Sequence, residues 1–158
     1  MVLRVAITGG IACGKSLFSR HLGELGAEIL DADDVVHRLE APGGKAVEPI
    51  RALFGPEVIG LDGGVNRAAL GARVFGDHAA LEELNRVVHP LVRDAINEWL
   101  SRPGKGVRAV VIPLLFEVGW QAGWDVIVCL SASEDRQIER LVRDRCLTPE
   151  QARLRIAS

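Results

Sequence analysis

The chain has 158 residues, 48% of them apolar, and its 19 basic and 21 acidic side chains leave a formal net charge of −2. At that length folding buries about 70% of the surface an extended chain exposes, so a stable core needs no disulfide or metal staple. A pI near 6.1 argues against a nucleic-acid or membrane partner, because both call for a basic face. The cations are 16 Arg and 3 Lys. Arginine suits bidentate phosphate or carboxylate contacts, although a general preference for Arg over Lys explains the same count. Cys13, Cys129 and Cys146 are odd in number and form no C-x-x-C pair, as expected of a reduced, cytoplasmic protein. The N-terminal apolar run is too short for a signal sequence, and nothing approaches the roughly 20 residues of a membrane span.

Strand-length apolar runs alternate with segments of helical period. Leu3 to Thr8 reads as a buried first strand, Lys15 to Leu25 as a helix closed by Gly26, and Ala27 to Leu30 as a second strand running into Asp31-Ala32-Asp33-Asp34. Val35 to Arg102 is mainly helical, with a turn at Asp62-Gly63-Gly64 and helix caps at Asn66 and Asp77. Arg108 to Ile112 and Val126 to Leu130 are further strands, and a helix starts near Ser133. This alternation predicts an α/β fold, a parallel sheet covered by helices on both faces. In such a sheet, ligands sit beyond the carboxyl ends of the strands.

Gly9-Gly10-Ile11-Ala12-Cys13-Gly14-Lys15-Ser16 fits G-x-x-x-x-G-K-[ST] between a predicted strand and a predicted helix. Glycines let the backbone wrap around phosphate, successive N–H groups and the helix N-terminus face the anion, and the lysine meets the terminal phosphates. Ser16 is the candidate Mg²⁺ ligand. No N-K-x-D for guanine occurs, and no apolar strand ends in the Asp or Asp-Glu of a motor ATPase. Acid does follow the second strand. A carboxylate there could accept the proton of a hydroxyl undergoing phosphorylation, or it could cap the next helix. Arg136, Arg140 and Arg143, spaced i, i+4, i+7, share one helical face opposite Ile138, Leu141 and Val142. Arg145 would fall among the apolar residues, so the helix is expected to break there. Thr148-Pro149-Glu150-Gln151 then restarts it with a capping box. The two helices make either an arginine lid over a triphosphate or a solvated face with a Glu139–Arg143 pair. His21 and His78 have no partner at metal-ligand spacing and read as surface residues.

Seven ordered motifs resemble the dephospho-coenzyme A kinase family over nearly the whole chain. They are I-T-G-G-I-x-x-G-K-S from Ile7, D-A-D-x-x-x-H from Asp31, P-G at Pro42, R-x-x-L-x-x-x-V-F from Arg67, H-P at His89, P-L-L-F-E from Pro113 and R-Q-x-x-R-L-x-x-R from Arg136. The resemblance implies a P-loop kinase fold with a core (1–34 and 103–135), a helical substrate-binding region (35–102) and a lid (136–158). It implies transfer of the ATP γ-phosphate, with Mg²⁺, to the ribose 3′-hydroxyl of dephospho-coenzyme A. Position by position, Asp33 matches the catalytic carboxylate, Lys15 and Ser16 keep their loop roles, and Arg140 is the lid charge on the transferring phosphoryl. The nucleotide is expected at Gly9 through Leu17 (Gly9, Gly10, Ile11, Ala12, Cys13, Gly14, Lys15, Ser16, Leu17) with Arg136, Arg140 and Arg143. The acceptor is expected at Thr8, Asp33, His37, His89, Pro113, Leu114, Leu115 and Glu117. For His89 a buried position before a helix-ending proline competes with that role, and Glu117 competes as a structural acid.

Two departures from the family's pattern stand out. Ala12-Cys13 and Leu17 replace small polar residues and a threonine, which removes a hydroxyl near the phosphates. Cys13 sits at a helix N-terminus within the loop, where its oxidation would block the nucleotide site. Family members also continue for some forty residues with a fifth strand, and without it the edge of the first or fourth strand is expected to lie open. Two further readings use the same residues: a kinase for a nucleoside monophosphate or other small alcohol, and a truncated, non-catalytic nucleotide-binding module. Exposure of a pair among Trp99, Trp120 and Trp124 would mark an interface.

Overall fold

A computed structural model of the chain describes residues 1–157. Four strands, β1 (Val2–Gly9), β2 (Glu28–Asp31), β3 (Gly106–Val111) and β4 (Val126–Leu130), form one parallel sheet in the order β2-β3-β1-β4. Strand β1 is therefore interior, with Ile7 opposite Val111 on one side and Val128 on the other. The outer positions belong to β2 and β4, so of the first and fourth strands it is the fourth that lies at the margin of the sheet. Burial along β1 starts only at Val5. Leu3 and Arg4 are exposed, so the first strand is longer than its sequence reading and its opening half lies outside the core.

The chain divides into two compact units, Met1–Asp31 together with the chain from Pro103 onward, and Ala32–Arg102. In the first, strand alternation sorts side chains to two faces. Val5, Ile7, Ala109 and Val111 form a buried cluster against which Phe18 and Leu22 of α1 (Lys15–Glu24) pack, while Ala6, Thr8 and Val110 are buried on the other face. Arg108 is buried within β3, directly opposite Glu28 of β2, to which its Nε donates at 3.1 Å. Asp125 ties the start of β4 to β1, accepting from Arg4 N at 2.7 Å and donating its own N–H to the Arg4 carbonyl. The helices that follow, α6 (Glu134–Arg145) and α7 (Pro149–Ala157), pack on each other.

The second unit contains α2 (Ala32–Glu40), α3 (Val47–Phe54), a single 3-10 turn (Pro56–Val58), α4 (Arg67–Val74) and α5 (His78–Ser101). Helices α2, α3 and α4 all pack on α5, whose Val88, Val92, Ile96 and Leu100 form a buried stripe at four-residue spacing. The caps sit at the expected residues: Asn66 accepts from Ala69 N and Asp77 from Ala80 N. The alternative reading of His89, as a residue before a helix-ending proline, is not met: helix α5 runs through Pro90. Proline removes one backbone donor and crowds the preceding turn, and here the apolar stripe on both sides of it keeps the helix continuous.

Candidate active site

The loop from Gly9 to Gly14 joins the end of β1 to the start of α1, both fixed by core packing. Two glycines are dictated by geometry. Gly9 has φ 139°, and a Cβ there would stand 2.1 Å from the Leu130 carbonyl oxygen of the neighbouring strand. Gly14, the residue before α1, has φ 102°. Ala12 also has positive φ, 55°, in the loop's tip, a region few side chains adopt.

Side chains brace this tip from two directions. Lys15 Nζ donates to the carbonyls of Gly9 (2.7 Å) and Gly10 (2.8 Å). From α6, Arg140 Nη1 donates to the Ala12 carbonyl at 2.7 Å, and Gln137 Nε2 donates to the Ile11 carbonyl at 2.7 Å and approaches Cys13 Sγ at 3.4 Å. The two cations at this loop thus rest on neutral carbonyls, contacts that an anion would outcompete, since hydrogen bonds to an ionised acceptor are roughly twice as strong. Gln137 is buried. Charge and spacing do not single it out, because an amide inside a charged helix has no spacing signature; its one signal in the sequence is the Q of the R-Q-x-x-R stretch.

The three arginines of α6 do not form one equivalent row. Arg140 is half-buried on the loop, Arg136 is exposed, and Arg143 is paired at 2.7 and 3.1 Å with its neighbour Asp144 rather than with Glu139. That hydrogen-bonded pairing holds Asp144 below its ordinary carboxylate range and Arg143 above its own ordinary value. The face opposite the arginines also differs from expectation. Gln137 and Leu141 are buried, whereas Val142 is exposed. Helix α6 does end at Arg145, with Cys146 in the left-handed conformation at φ 53°. The capping box at α7 is formed, Thr148 Oγ1 accepting from Gln151 N and Gln151 Oε1 from Thr148 N.

Ser16 and Leu17 are exposed in the first turn of α1. Thr8 is buried, its hydroxyl donating to the Pro113 carbonyl at 3.2 Å, so it orders the segment after β3 and presents no hydroxyl to solvent. Within that segment Leu115 is wholly buried and belongs to the core, not to a binding surface. Leu114, Phe116 and Glu117 are exposed and Pro113 is half-buried. Trp120 and Trp124 are half-buried against each other, ring centroids 5.5 Å apart, and Trp124 Nε1 donates to the Trp120 carbonyl. With Trp99 also half-buried, none of the three tryptophans is fully exposed, so the condition set for an interface is not met.

In the Ala32–Arg102 unit, Asp33 and His37 lie one turn apart on α2, both exposed. His37 Nε2 lies against Arg67 Nη1, and Arg67 Nε stands 2.8 Å from Glu40 Oε2. His89 is half-buried on α5, and burial followed by the Arg93 charge holds its pKa below the ordinary imidazole value. His21 and His78 are exposed and lie against Glu24 and Glu82 of their own helices. Among the described residues no group of three or more His, Cys, Asp or Glu gathers as a metal-binding cluster, and no helix is long and apolar enough to cross a membrane.

Residues 3–158 match the family model described as dephospho-CoA kinase. The chain is 39% identical over 161 residues to the dephospho-CoA kinase of Geobacillus kaustophilus, an alignment covering 100% of this chain and 80% of that protein. It is 37% identical over 157 residues to the dephospho-CoA kinase of Methylococcus capsulatus, covering 99% and 79%. The crystal structure of a Thermus thermophilus protein superposes with a TM-score of 0.82 at 33% identity, covering 97% of this chain and 78% of that one. With a family model matched over residues 3–158 and relatives at 37–39% identity over about four fifths of their own length, the chain belongs to the dephospho-CoA kinase family.

Proposed function

We infer that the chain transfers the γ-phosphoryl group of ATP to the ribose 3′-hydroxyl of dephospho-CoA, giving CoA and ADP. The observation that carries this reading is the loop from Gly9 to Ser16 with two cations, Lys15 and Arg140, resting on its carbonyls. When a triphosphate enters, those cations exchange carbonyls for phosphate oxygens. Lys15 then holds the β- and γ-phosphates, and Arg140 meets the charge that builds on the transferring group. The loop's backbone N–H groups and the first turn of α1 supply further donors to the phosphates.

Ser16 is the residue that would hold Mg²⁺. A single exposed hydroxyl fits that ion, which keeps most of its water and takes its remaining ligands from substrate phosphates. Bound there, the metal would supply neutralisation of charge on the phosphate oxygens. The acceptor is carried by the Ala32–Arg102 unit, with α6 and α7 as the lid. Asp33 accepts the 3′-hydroxyl proton as the oxygen attacks the γ-phosphorus, and the bond to the leaving ADP oxygen breaks. His37, His89 and the exposed Leu114 and Glu117 are the proposed acceptor contacts. Three free cysteines fit work in the reducing cytoplasm.

The test is ADP release from Mg-ATP with and without dephospho-CoA, beside Asp33→Asn. Release should require the acceptor, and the substitution should lower it by about 10²- to 10⁴-fold. ATP binding without acceptor-dependent release would overturn the reading in favour of a non-catalytic nucleotide-binding module.

A further inference from the structure

Helix α2 carries more than a catalytic acid. Asp33, His37 and Glu40 are spaced i, i+4, i+7 and share one helical face. Asp33 and His37 are exposed, whereas Glu40 is only 8% exposed. A buried carboxylate is costly unless paired, and its partner arrives from a distant part of the chain. Ile59 bridges to Val65, and Val65 N donates to the Glu40 carbonyl at 2.8 Å, which seats the following residues beside the C-terminal end of α2. Asn66 caps α4, and Arg67, its first residue, reaches Glu40 Oε2 with Nε at 2.8 Å and His37 Nε2 with Nη1.

The pair does not read as a device for stability. Glu40 Oε2 is buried without an aligned hydrogen bond, so charge rather than hydrogen-bond geometry holds Arg67 there. The Arg67 side chain is 53% exposed. A guanidinium has five N–H donors in a rigid fork. Here one edge is fixed by Glu40, and the exposed part faces outward next to His37. This is the arrangement of an anion receptor: an arginine whose rotamer is set from behind by a buried carboxylate, with donors left for a planar, bidentate contact.

We propose that Arg67, set by Glu40 and flanked by His37, binds the 5′-diphosphate of the acceptor. The proposal rests on the kinase reading above and adds a binding residue to it. Its support is metric as well as chemical. Along the helix axis Asp33 and His37 are about 6 Å apart and Asp33 and Glu40 about 10 Å. In dephospho-CoA the reacting 3′-hydroxyl and the 5′-diphosphate are separated by one ribose ring and its exocyclic carbon, a span on that scale. A hydroxyl at Asp33 therefore brings the diphosphate alongside His37 and Arg67. The R-x-x-L motif beginning at Arg67 thereby gains a role that composition and spacing did not supply.

Calorimetric titration of dephospho-CoA without ATP, into the wild-type chain, Arg67→Gln and Arg67→Lys, tests this directly. Arg67→Gln should weaken binding by about tenfold to a hundredfold, the loss of a charge-assisted hydrogen-bonding contact. Arg67→Lys keeps the charge but not the fork and should fall between. The KM for ATP should stay within about twofold in both variants, since the nucleotide contacts lie elsewhere. Adenosine has the 3′-hydroxyl but no diphosphate, and it should compete for the acceptor site equally weakly in all three proteins. Unchanged dephospho-CoA affinity in Arg67→Gln overturns the proposal. So does a parallel loss for adenosine, or a joint rise in both KM values. Should Arg67→Gln fail to fold, Arg67→Lys carries the test, with dephospho-CoA affinity equal to wild type as the overturning result. Absence of acceptor-dependent turnover in the wild-type chain, with dephospho-CoA still bound through Arg67, would defeat the kinase reading and leave this site standing.

Discussion

Arg140 and Arg143 are less than one helical turn apart and have different surroundings. Arg140 rests on the Ala12 carbonyl of the phosphate loop, whereas Arg143 is chelated by Asp144 at the protein surface. A charge already neutralised by its neighbour has less to give a nucleotide, and its exposed pair is worth little in stability. Arg140→Gln should therefore lower kcat/KM for ATP by about 10²- to 10³-fold, whereas Arg143→Gln should change it by less than about threefold. Steady-state kinetics on the two variants checks the contrast, and comparable losses would mean that all the α6 arginines act as one field. Gln137 belongs with Arg140. Its amide holds the Ile11 carbonyl from within a buried position, so Gln137→Leu, which keeps the volume and removes the donor, should raise the KM for ATP. The same variant should change the alkylation rate of Cys13, 3.4 Å from that amide, relative to exposed Cys129 and Cys146. Lysine and arginine advertise phosphate chemistry by their charge and could be found from spacing. Gln137 could not, because what distinguishes it is burial, a property of the folded neighbourhood.

At the scale of elements, the parts written in local chemistry were legible. Asn66, Asp77 and the Thr148–Gln151 box mark helix starts by side-chain hydrogen bonds that span three residues. The strand from Val126 to Leu130 is bounded as its apolar run indicates. At Pro90 a local rule that would end the helix meets a non-local one: the packing of buried Val88 and Val92 on either side of the proline carries α5 through it despite the lost backbone bond. His89 shares that half-buried position, and its chemistry gives a pH signature. Burial first, and the Arg93 charge second, disfavour its protonation in the folded chain. In the unfolded chain the imidazole takes its proton at the ordinary value. Below that value the unfolded state thus binds more protons, and stability falls as pH drops until the folded-state imidazole also protonates. Above it the term vanishes. The wild-type chain should lose more stability than His89→Gln between about pH 7 and about pH 5, as read by urea titrations. A larger loss in His89→Gln would reverse the assigned sign.

For the whole molecule, sequence alternation establishes that strands and helices interleave but not which strand lies in the middle. The order β2-β3-β1-β4 depends on crossovers that bring residues a hundred positions apart into register, such as Val2 with Gly106. That order puts the phosphate loop at the end of an interior strand, where Gly9 must pass close to Leu130 and nothing larger than glycine fits. The division into two compact units at Asp31 and Ala32 has a functional counterpart in the proposed mechanism: the nucleotide loop lies in one unit, and Asp33, His37 and Arg67 in the other. Hydrogen exchange read with each ligand separately tests this assignment. ADP should slow exchange at residues 9–17 and 137–140, and dephospho-CoA should slow it at residues 32–40 and 64–70. A ligand at a hundred times its Kd that binds only the closed local state adds about 2.7 kcal/mol to the opening cost, which is about a hundredfold in exchange rate. If ADP alone protected α2 as strongly as it protects the loop, the acceptor segment would belong to the nucleotide site, and Asp33 would have to be reassigned from proton acceptor to a part of the phosphate-binding apparatus.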